Sequence, residues 1–231
     1  MKQLIHLLKN DFTLLSRNKI IAVSIVVTVI YMIAFKSISH FGSAEKILIL
    51  VIFNDPALLG FLFTGVMVLF EKNENTLQVL SIVPLNTSSY ILSKTIALSL
   101  ISVVCCYAMA YAGTGTSFNQ LHYFFASIFT TALFTFIGFI LVAGVNSFNR
   151  FLLRAVGVLI FLSIPFLGYY EVLPRSFFLW MPTQPCIDLF RASFDPNCPV
   201  EIIFYGYLAL ITWLIILYKI TLLLFKKNLR G

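Results

Sequence analysis

Long apolar segments alternate with short polar ones along the whole chain. Six apolar segments cover residues 20–35, 47–70, 95–112, 123–145, 155–170 and 202–218. Their lengths are close to the about 17–25 residues with which an α-helix crosses the hydrocarbon of a bilayer. The pattern predicts an all-α integral membrane protein, with six transmembrane helices in a single domain over residues 1–231.

Residues 1–19 follow a different pattern. On a helical wheel the leucines fall on one side and the basic and polar residues on the other, with Asp11 as the one exception. A basic amphipathic helix of this kind lies in the membrane interface and does not cross it. We predict an interfacial N-terminal helix. The alternative is a helix packed on a soluble domain, which is disfavoured because apolar segments follow.

Composition and charge agree with a membrane protein. Hydrophobic residues make up 60% of the chain, charged residues 11%, and the mean hydropathy is +0.96, whereas an average soluble domain has about 25% charged residues. The net charge of +7 does not imply a nucleic-acid partner, because Lys and Arg collect in cytoplasmic loops. With the N-terminus inside, twelve basic residues are cytoplasmic and four lie outside. Both termini are therefore predicted to be cytoplasmic.

The polar stretch 71–94, between the second and third apolar segments, is longer than a simple turn needs. Thr76–Val83 can form about two helical turns, which Pro84 must end because its ring restricts the preceding residue. Leu77 and Leu80 then form one apolar edge. We interpret the stretch as a cytoplasmic segment with a short helix onto which a partner protein docks.

The second apolar segment contains Asn54-Asp55-Pro56. Asn or Asp as helix N-cap, followed by proline in the first turn, predicts that the helix restarts here. Asp55 is also the only carboxylate inside any apolar segment, and such a charge is a functional candidate. A cap near the outer interface explains it as well, and we favour the cap.

Two further groups of residues are candidate sites. Arg150 and Arg154 form a short basic turn between the fourth and fifth segments, which is either a second cytoplasmic contact or an ordinary basic loop. The extracytoplasmic segment 171–201 contains five prolines, so it cannot be one long helix. Its aromatic residues either form an interfacial belt or belong to a short outer helix pair. Cys186 and Cys198 lie in this segment and could form a disulfide in an oxidising compartment.

The sequence contains little catalytic chemistry. Gly60 and Gly65 have the spacing of a phosphate-binding loop, but Val66 and Met67 stand where Lys and Ser or Thr are needed. We interpret the two glycines as a site of helix packing or flexing. No cluster of acids, His or metal ligands lies within the apolar segments. We therefore expect no enzyme active site, metal or cofactor in this chain, and an energy source outside it.

The architecture and one motif resemble the type-2 export class of ABC transporter permeases. The motif begins at Glu71-Lys72, continues through Thr76-Leu77 and Leu80 to Pro84-Leu85, and is followed by Tyr90-x-x-x-Lys94. Asn75 and Val83 replace the usual Gly and Ser or Thr. Asp55-Pro56-x-x-x-Gly60 and the proline-rich outer segment are similar to drug-export members, including fluoroquinolone-export permeases.

The resemblance implies a transport subunit of the bacterial cytoplasmic membrane. Two permease chains, identical or related, would form the pathway, and two separate ATPase subunits that bind ATP and magnesium would drive it. The docking residues would be Glu71, Thr76, Leu77, Leu80 and Pro84. The apolar spans favour a hydrophobic or amphipathic cargo such as a drug, peptide or lipid. The alternative is a self-sufficient channel or secondary carrier.

Overall fold

The computed structural model describes residues 2–38, 44–74 and 86–230, and these residues contain helices and no strand. The α-helices, numbered along the chain, are α1 Lys2–Arg17, α2 Ile20–Ile38, α3 Ala44–Leu58, α4 Thr64–Asn73, α5 Thr87–Thr114, α6 Gln120–Ala143, α7 Phe148–Ser163, α8 Phe166–Tyr169, α9 Gln184–Phe194 and α10 Val200–Arg230. A π-helical turn, Leu59–Phe63, joins α3 to α4, and a 3-10 turn, Arg175–Phe178, precedes α9.

The described residues contain five or six candidate membrane spans. Five stretches are long and apolar enough to cross a membrane, namely Ile49–Asn73, Thr87–Thr114, Gln120–Ala143, Phe148–Tyr169 and Val200–Phe225. The pair α1 and α2 is bent by 63° and supplies a sixth span if it is counted as one. The predicted all-α membrane class is confirmed, whereas the sidedness of the termini stays a prediction.

The N-terminal amphipathic helix exists as a separate element, and it packs on the bundle. The chain turns after α1 at Lys19, whose φ of 57° lies in the left-handed region. Leu14 and Leu15 are buried in one apolar cluster with Met67 and Leu98, which belong to α4 and α5. In the C-terminal half of α1, the apolar side therefore packs against other helices. The prediction had placed this side against the membrane interface.

The predicted restart of the helix at Asn54-Asp55-Pro56 is wrong. The helix α3 runs through all three residues and ends at Leu58. Pro56 removes one backbone hydrogen bond and crowds the preceding turn, and the π-helical turn begins three residues later. A local change of helical pitch retains most backbone hydrogen bonds, which an apolar environment favours over a break.

Glycines allow α6 to pass close to this π-helical turn. A Cβ atom on Gly138 would lie 2.6 Å from the carbonyl oxygen of Phe61, and one on Gly60 would lie 2.5 Å from that of Thr131. Such distances exclude any side chain without movement of the backbone. Small residues permit this approach between membrane helices, so the prediction that Gly60 is a helix-packing site is confirmed.

The polar connections separate into two ends of the bundle. At one end, Lys72 Nζ donates hydrogen bonds to the carbonyl oxygens of Val142, at 3.1 Å, and Val145, at 2.9 Å. At the other, the amide of Asn119 donates to the carbonyl of Ser193 at 2.8 Å. The end of α4 and the turn after α6 thus share one end of the bundle, and the start of α6 and the end of α9 share the other.

The segment between residues 171 and 201 folds into short helices, as its prolines require. The 3-10 turn and α9 are its regular elements, and α9 packs against α3, α6 and α10. Ile187, Leu189 and Phe190 are fully buried there. This segment is therefore part of the packed bundle as well as its outer cover.

Candidate functional site

A buried cluster of three charged side chains joins α1, α4 and α5. Lys94 Nζ lies 2.7 Å from Asp11 Oδ1 and 2.5 Å from Glu71 Oε1. The side chain of Lys94 is 0% exposed, and the two carboxylate side chains are 4% and 2% exposed. One ammonium group therefore neutralises two carboxylates from different helices, inside the protein.

Hydroxyl groups complete the coordination of both carboxylates. Ser93 Oγ donates to Asp11 Oδ2 at 2.6 Å, and Tyr90 OH donates to Glu71 Oε2 at 2.5 Å. The ammonium group of Lys94 also lies 4.8 Å from the centre of the Tyr90 ring, within the range of a cation–π contact. Each carboxylate oxygen in this buried cluster accepts a hydrogen bond.

Helix geometry explains why these side chains meet. The side chain of Asn86 accepts a hydrogen bond from the amide of Ser88 and so caps the start of α5. Tyr90, Ser93 and Lys94 follow at spacings of three and four residues, which places them on one face of the helix. Asp11 breaks the apolar side of α1 because that side packs on α5 at the position of Lys94.

Breaking the buried cluster of Asp11, Glu71 and Lys94 has a large free-energy cost. Two carboxylates and one ammonium group leave one net negative charge in the interior, and the hydroxyl donors offset part of the cost of burial. Removing one partner of a buried ion pair typically costs about 3–5 kcal/mol, because an uncompensated charge stays behind. The cluster therefore fixes α1, the end of α4 and the start of α5 relative to one another.

The predicted docking residues have a mixed outcome. Glu71 is placed in the buried cluster, where Lys94 and Tyr90 occupy its carboxylate. Thr76, Leu77, Leu80 and Pro84 lie outside the described residues, so their role stays a prediction. Glu71 and Lys94 flank residues 75–85, and their ion pair holds the two ends of that segment together.

An exposed ion pair lies next to the same segment. Arg17, the last residue of α1, contacts Glu74 just after α4, and their side chains are 60% and 48% exposed. Surface pairs of this kind contribute about 0–1 kcal/mol. Two ion pairs with very different burial therefore hold α1, the exposed one to the end of α4 and the buried one to Lys94 of α5.

Arg150 and Arg154 do not form a turn. Both lie in α7, which begins at Phe148, and both are exposed. The apolar segment predicted to start at residue 155 is the continuation of a helix that begins seven residues earlier. The guanidinium of Arg154 lies 4.0 Å from the position of a Cβ on Gly144, at the end of α6. Their contact with a partner stays a prediction.

Asp55 is buried in the last turn of α3, before the π-helical turn, and does not cap the start of a helix. It is 3% exposed, and its Oδ2 has no hydrogen-bond partner among the described residues. The cap interpretation is therefore wrong, because the helix neither begins nor ends at this residue. The alternative interpretation, that Asp55 is a functional carboxylate inside a span, is compatible with the structure.

The two outer cysteines are separate thiols in this structure. Cys186 and Cys198 are both free and buried, and Cys186 Sγ donates to the carbonyl of Pro182 at 3.6 Å. The structure therefore does not contain the disulfide that the sequence allowed. Burial raises the pKa of the Cys186 thiol to about 12, which disfavours the thiolate that disulfide exchange requires.

The other members of the cluster have only weak sequence signals. Asp11 is a lone acid on an apolar helix side, and Tyr90 and Lys94 belong to one motif, but no sequence pattern connects the three. Ser93 carried no signal. Asp11 is an acid on an apolar helix face, and Lys94 is a base at the start of a span. Their opposite charges are the one sequence feature that could have predicted the contact between them.

The sequence of this chain is similar to those of a known protein family. Residues 2–229 match the fluoroquinolones export permease protein family. Two proteins named fluoroquinolones export permease protein, from Mycobacterium tuberculosis strains CDC 1551 and H37Rv, are each 30% identical to this chain over 146 residues. The matched region is 63% of this chain and 62% of each relative.

The family match confirms the resemblance seen in the sequence and agrees with the apolar helices of the structure. This chain is a multi-pass bacterial membrane protein. The chain belongs to the fluoroquinolones export permease protein family.

Proposed function

We propose that this chain is the membrane-spanning subunit of an ATP-driven exporter. Two such subunits would form the pathway, and separate ATPase subunits would dock on residues 75–85 at the cytoplasmic side. The cargo would be a hydrophobic or amphipathic molecule, and fluoroquinolones are the first candidates because the two relatives are named for their export. The sequence has no nucleotide-binding loop of its own.

The buried cluster around Lys94 is the observation that carries this proposal. A motor that presses on residues 75–85 transmits force only if the ends of this segment are firmly attached to the bundle. Glu71 precedes the segment, Lys94 follows it, and their ion pair is buried. Asp11 adds the N-terminal helix to the same junction. A load on the segment would therefore move α1, α4 and α5 together.

In this proposal Glu71 is a positioning residue. Its carboxylate is buried and paired, so it holds the docking segment without touching the ATPase. Leu77 and Leu80 would make the contact itself, as the predicted apolar edge of the short helix. The two roles are separable by experiment, because attachment of the ATPase and ATP-stimulated efflux are different measurements.

The decisive experiment changes the apolar edge. Replacement of both Leu77 and Leu80 by Asp should abolish co-purification of an ATPase from native membranes and ATP-stimulated fluoroquinolone uptake into inverted vesicles. Gln78→Asp is the control for added negative charge, since it places one carboxylate on another side of the predicted helix and should leave both intact. Retention of both by the double variant would refute the proposal.

Glu71→Gln tests the positioning role. Glutamine keeps the length of the side chain and a hydrogen-bond acceptor for Tyr90, but it loses the ionic contact with Lys94. We expect the ATPase to stay attached while ATP-stimulated efflux falls by about threefold or more, in line with the loss of one charged hydrogen bond. Unchanged efflux at equal attachment would assign Glu71 to folding alone.

A self-sufficient carrier is the second candidate, and Asp55 is the observation that favours it. Ion-coupled carriers use buried carboxylates within their spans, and Asp55 is buried there with an unpartnered oxygen. The purified chain in liposomes distinguishes the two. Efflux driven by an ion gradient without ATPase would support the carrier, and its absence would support the ATP-driven exporter.

A further inference from the structure

A cavity of about 680 Å³ opens at the end of the bundle opposite the Lys94 cluster. Residues from α3, α8, α9 and the chain between residues 171 and 175 line it. Small-molecule sites usually measure about 300–1,000 Å³. The cavity therefore has the size of a ligand site, and its lining decides which ligand fits.

An ion pair forms the polar part of the lining. Asp188 accepts hydrogen bonds from Arg175 Nε at 3.1 Å, Arg175 Nη2 at 2.7 Å and Gln184 Nε2 at 3.0 Å. The side chain of Asp188 is 4% exposed and that of Arg175 is 31% exposed. The Asp188 carboxylate is therefore buried behind Arg175, and of this pair the Arg175 guanidinium is the group that is more exposed to the cavity.

The Arg175 guanidinium is fixed and has donor capacity left. Its plane is held by the two bonds to Asp188, and it lies 5.2 Å from the centre of the Tyr205 ring. The hydrogen bond to Asp188 raises the pKa of Arg175. The pair with Asp188 uses Nε and Nη2, so Nη1 takes no part in it, and Arg175 lines the cavity. Preorganised arginine donors of this kind suit carboxylate and phosphate groups.

Apolar side chains form the adjacent wall. Ile49, Val172, Leu173 and Phe194 line the same cavity as Arg175. A ligand whose charged group reached Arg175 would place its remaining body against this wall. The combination of one charged group and an apolar surface selects an amphipathic molecule.

Charges at the rim restrict the ligand further. Asp195 lies at the rim, with its carboxylate 3.9 Å from Arg191 Nε and a side chain that is 37% exposed. Counting the whole lining, three carboxylates face two guanidinium groups. A second negative group on the ligand would therefore be repelled, whereas a positive group toward the rim would be tolerated.

We propose that this cavity binds the anionic head group of an amphipathic molecule, with Arg175 as the hydrogen-bond donor and the wall around Leu173 holding the apolar body. The ligand is a monoanion or a zwitterion with one anionic group. Binding itself needs no ATPase, so it is tested apart from the proposed export function. Only the identification of the ligand as an exported solute rests on that function.

The experiment uses the purified full chain in detergent and two fluorescent probes, naphthoate and naphthamide. The probes share an apolar body and differ in charge. Naphthoate should bind at least about tenfold more tightly, because a hydrogen bond to a charged group is about twice as strong as a neutral one. Equal affinity for the two probes would overturn the proposal.

Two variants locate the binding. The double variant R175Q/D188N removes both charges together, which avoids an orphaned buried carboxylate, and it should lose the preference for naphthoate. L173W fills the cavity from an exposed position and should weaken both probes. If the double variant does not fold, L173W decides, and wild-type affinity in L173W would contradict the proposal.

Matched charge changes at the rim complete the test. Asp195→Asn should tighten naphthoate binding about twofold, because a repelling carboxylate is removed, while Arg191→Gln should change it by less than about threefold. A loss as large as that of R175Q/D188N in the Arg191 variant would place the anion at the rim and refute the assignment to Arg175.

A lipid head group and a free solute share the required chemistry, and the membrane composition distinguishes them. The naphthoate titration is repeated in nanodiscs of phosphatidylcholine and in nanodiscs with added phosphatidylglycerol. Displacement of the probe by phosphatidylglycerol identifies an anionic lipid as the occupant. Unchanged binding identifies a soluble amphiphile. Both results support the site, and absence of binding in every membrane contradicts it.

Discussion

Two ion-pair clusters lie toward opposite ends of the bundle, and they differ in what surrounds them. Around Lys94 the charges are enclosed, and the ammonium group is shared by two carboxylates. Around Asp188 the carboxylate is enclosed, but its arginine partner reaches a cavity. The same chemistry therefore forms a mechanical junction where it is sealed and a recognition surface where one partner stays accessible.

The largest effect should come from opening the sealed cluster. Lys94→Met removes the only cation and leaves Asp11 and Glu71 buried without a counter-charge. We expect a loss of about 3–5 kcal/mol of stability, measured as thermal unfolding in detergent and as yield from membranes. A melting temperature close to that of the wild type would show that the cluster does not hold the helices.

Arg17→Gln is the control for that prediction, since it breaks the other ion pair of α1, the one with Glu74. Arg17 and Glu74 are largely exposed, so the change should be within about 1 kcal/mol. An effect as large as that of Lys94→Met would mean that burial is not what separates the two pairs.

A smaller effect is expected at the open cluster. Asp188→Asn keeps the shape and one acceptor oxygen but removes the charge opposite Arg175, which water can partly hydrate. We expect a local loss of about 1.5–3 kcal/mol, detected as faster maleimide labelling of Cys186 in a chain whose other three cysteines are replaced by Ala. If neither the rate of Cys186 labelling nor the thermal unfolding changed, the pair of Arg175 and Asp188 would not be needed to hold α9 in place.

The smallest effect on stability should come from a carboxylate that neither cluster contains. Asp55→Asn removes a buried ionisable group whose Oδ2 has no partner among the described residues. Because no hydrogen bond at that oxygen is lost, we expect stability within about 1 kcal/mol of the wild type or above it. Thermal unfolding measures this, and a large loss would reveal a partner that holds Asp55 in place.

The helical class was predictable because bilayer thickness fixes the length of a span. The apolar segment at residues 123–145 corresponds closely to α6, and the one at 95–112 lies within α5, which begins eight residues earlier. The start of α7 was missed because hydropathy marks only the uninterrupted apolar part of a helix, whereas Asn149, Arg150 and Arg154 interrupt the first two turns of α7. Pro56 predicted a break, but close packing of α6 at Gly138 favours a continuous helix with a local change of pitch.

The candidate site was predictable only in fragments. Glu71 and Lys94 belong to one motif. A motif defines their spacing in the sequence, but it does not predict that their side chains form an ion pair. Asp11 lies 83 positions before Lys94, and the contact depends on how α1 folds back on α5. The direction of Arg175 toward a cavity had no sequence signal, because it follows from the burial of Asp188 by three neighbouring helices.

The pairing of Asp11 with Lys94 also has a consequence for how the chain is made. The ribosome delivers the N-terminal helix first, and its buried carboxylate has no cation until α5 has been synthesised. Until then a charged Asp11 has no counter-ion, and its burial in an apolar environment is unfavourable. The charge on Asp11 therefore favours keeping α1 at the water boundary during biogenesis, until Lys94 supplies the counter-charge.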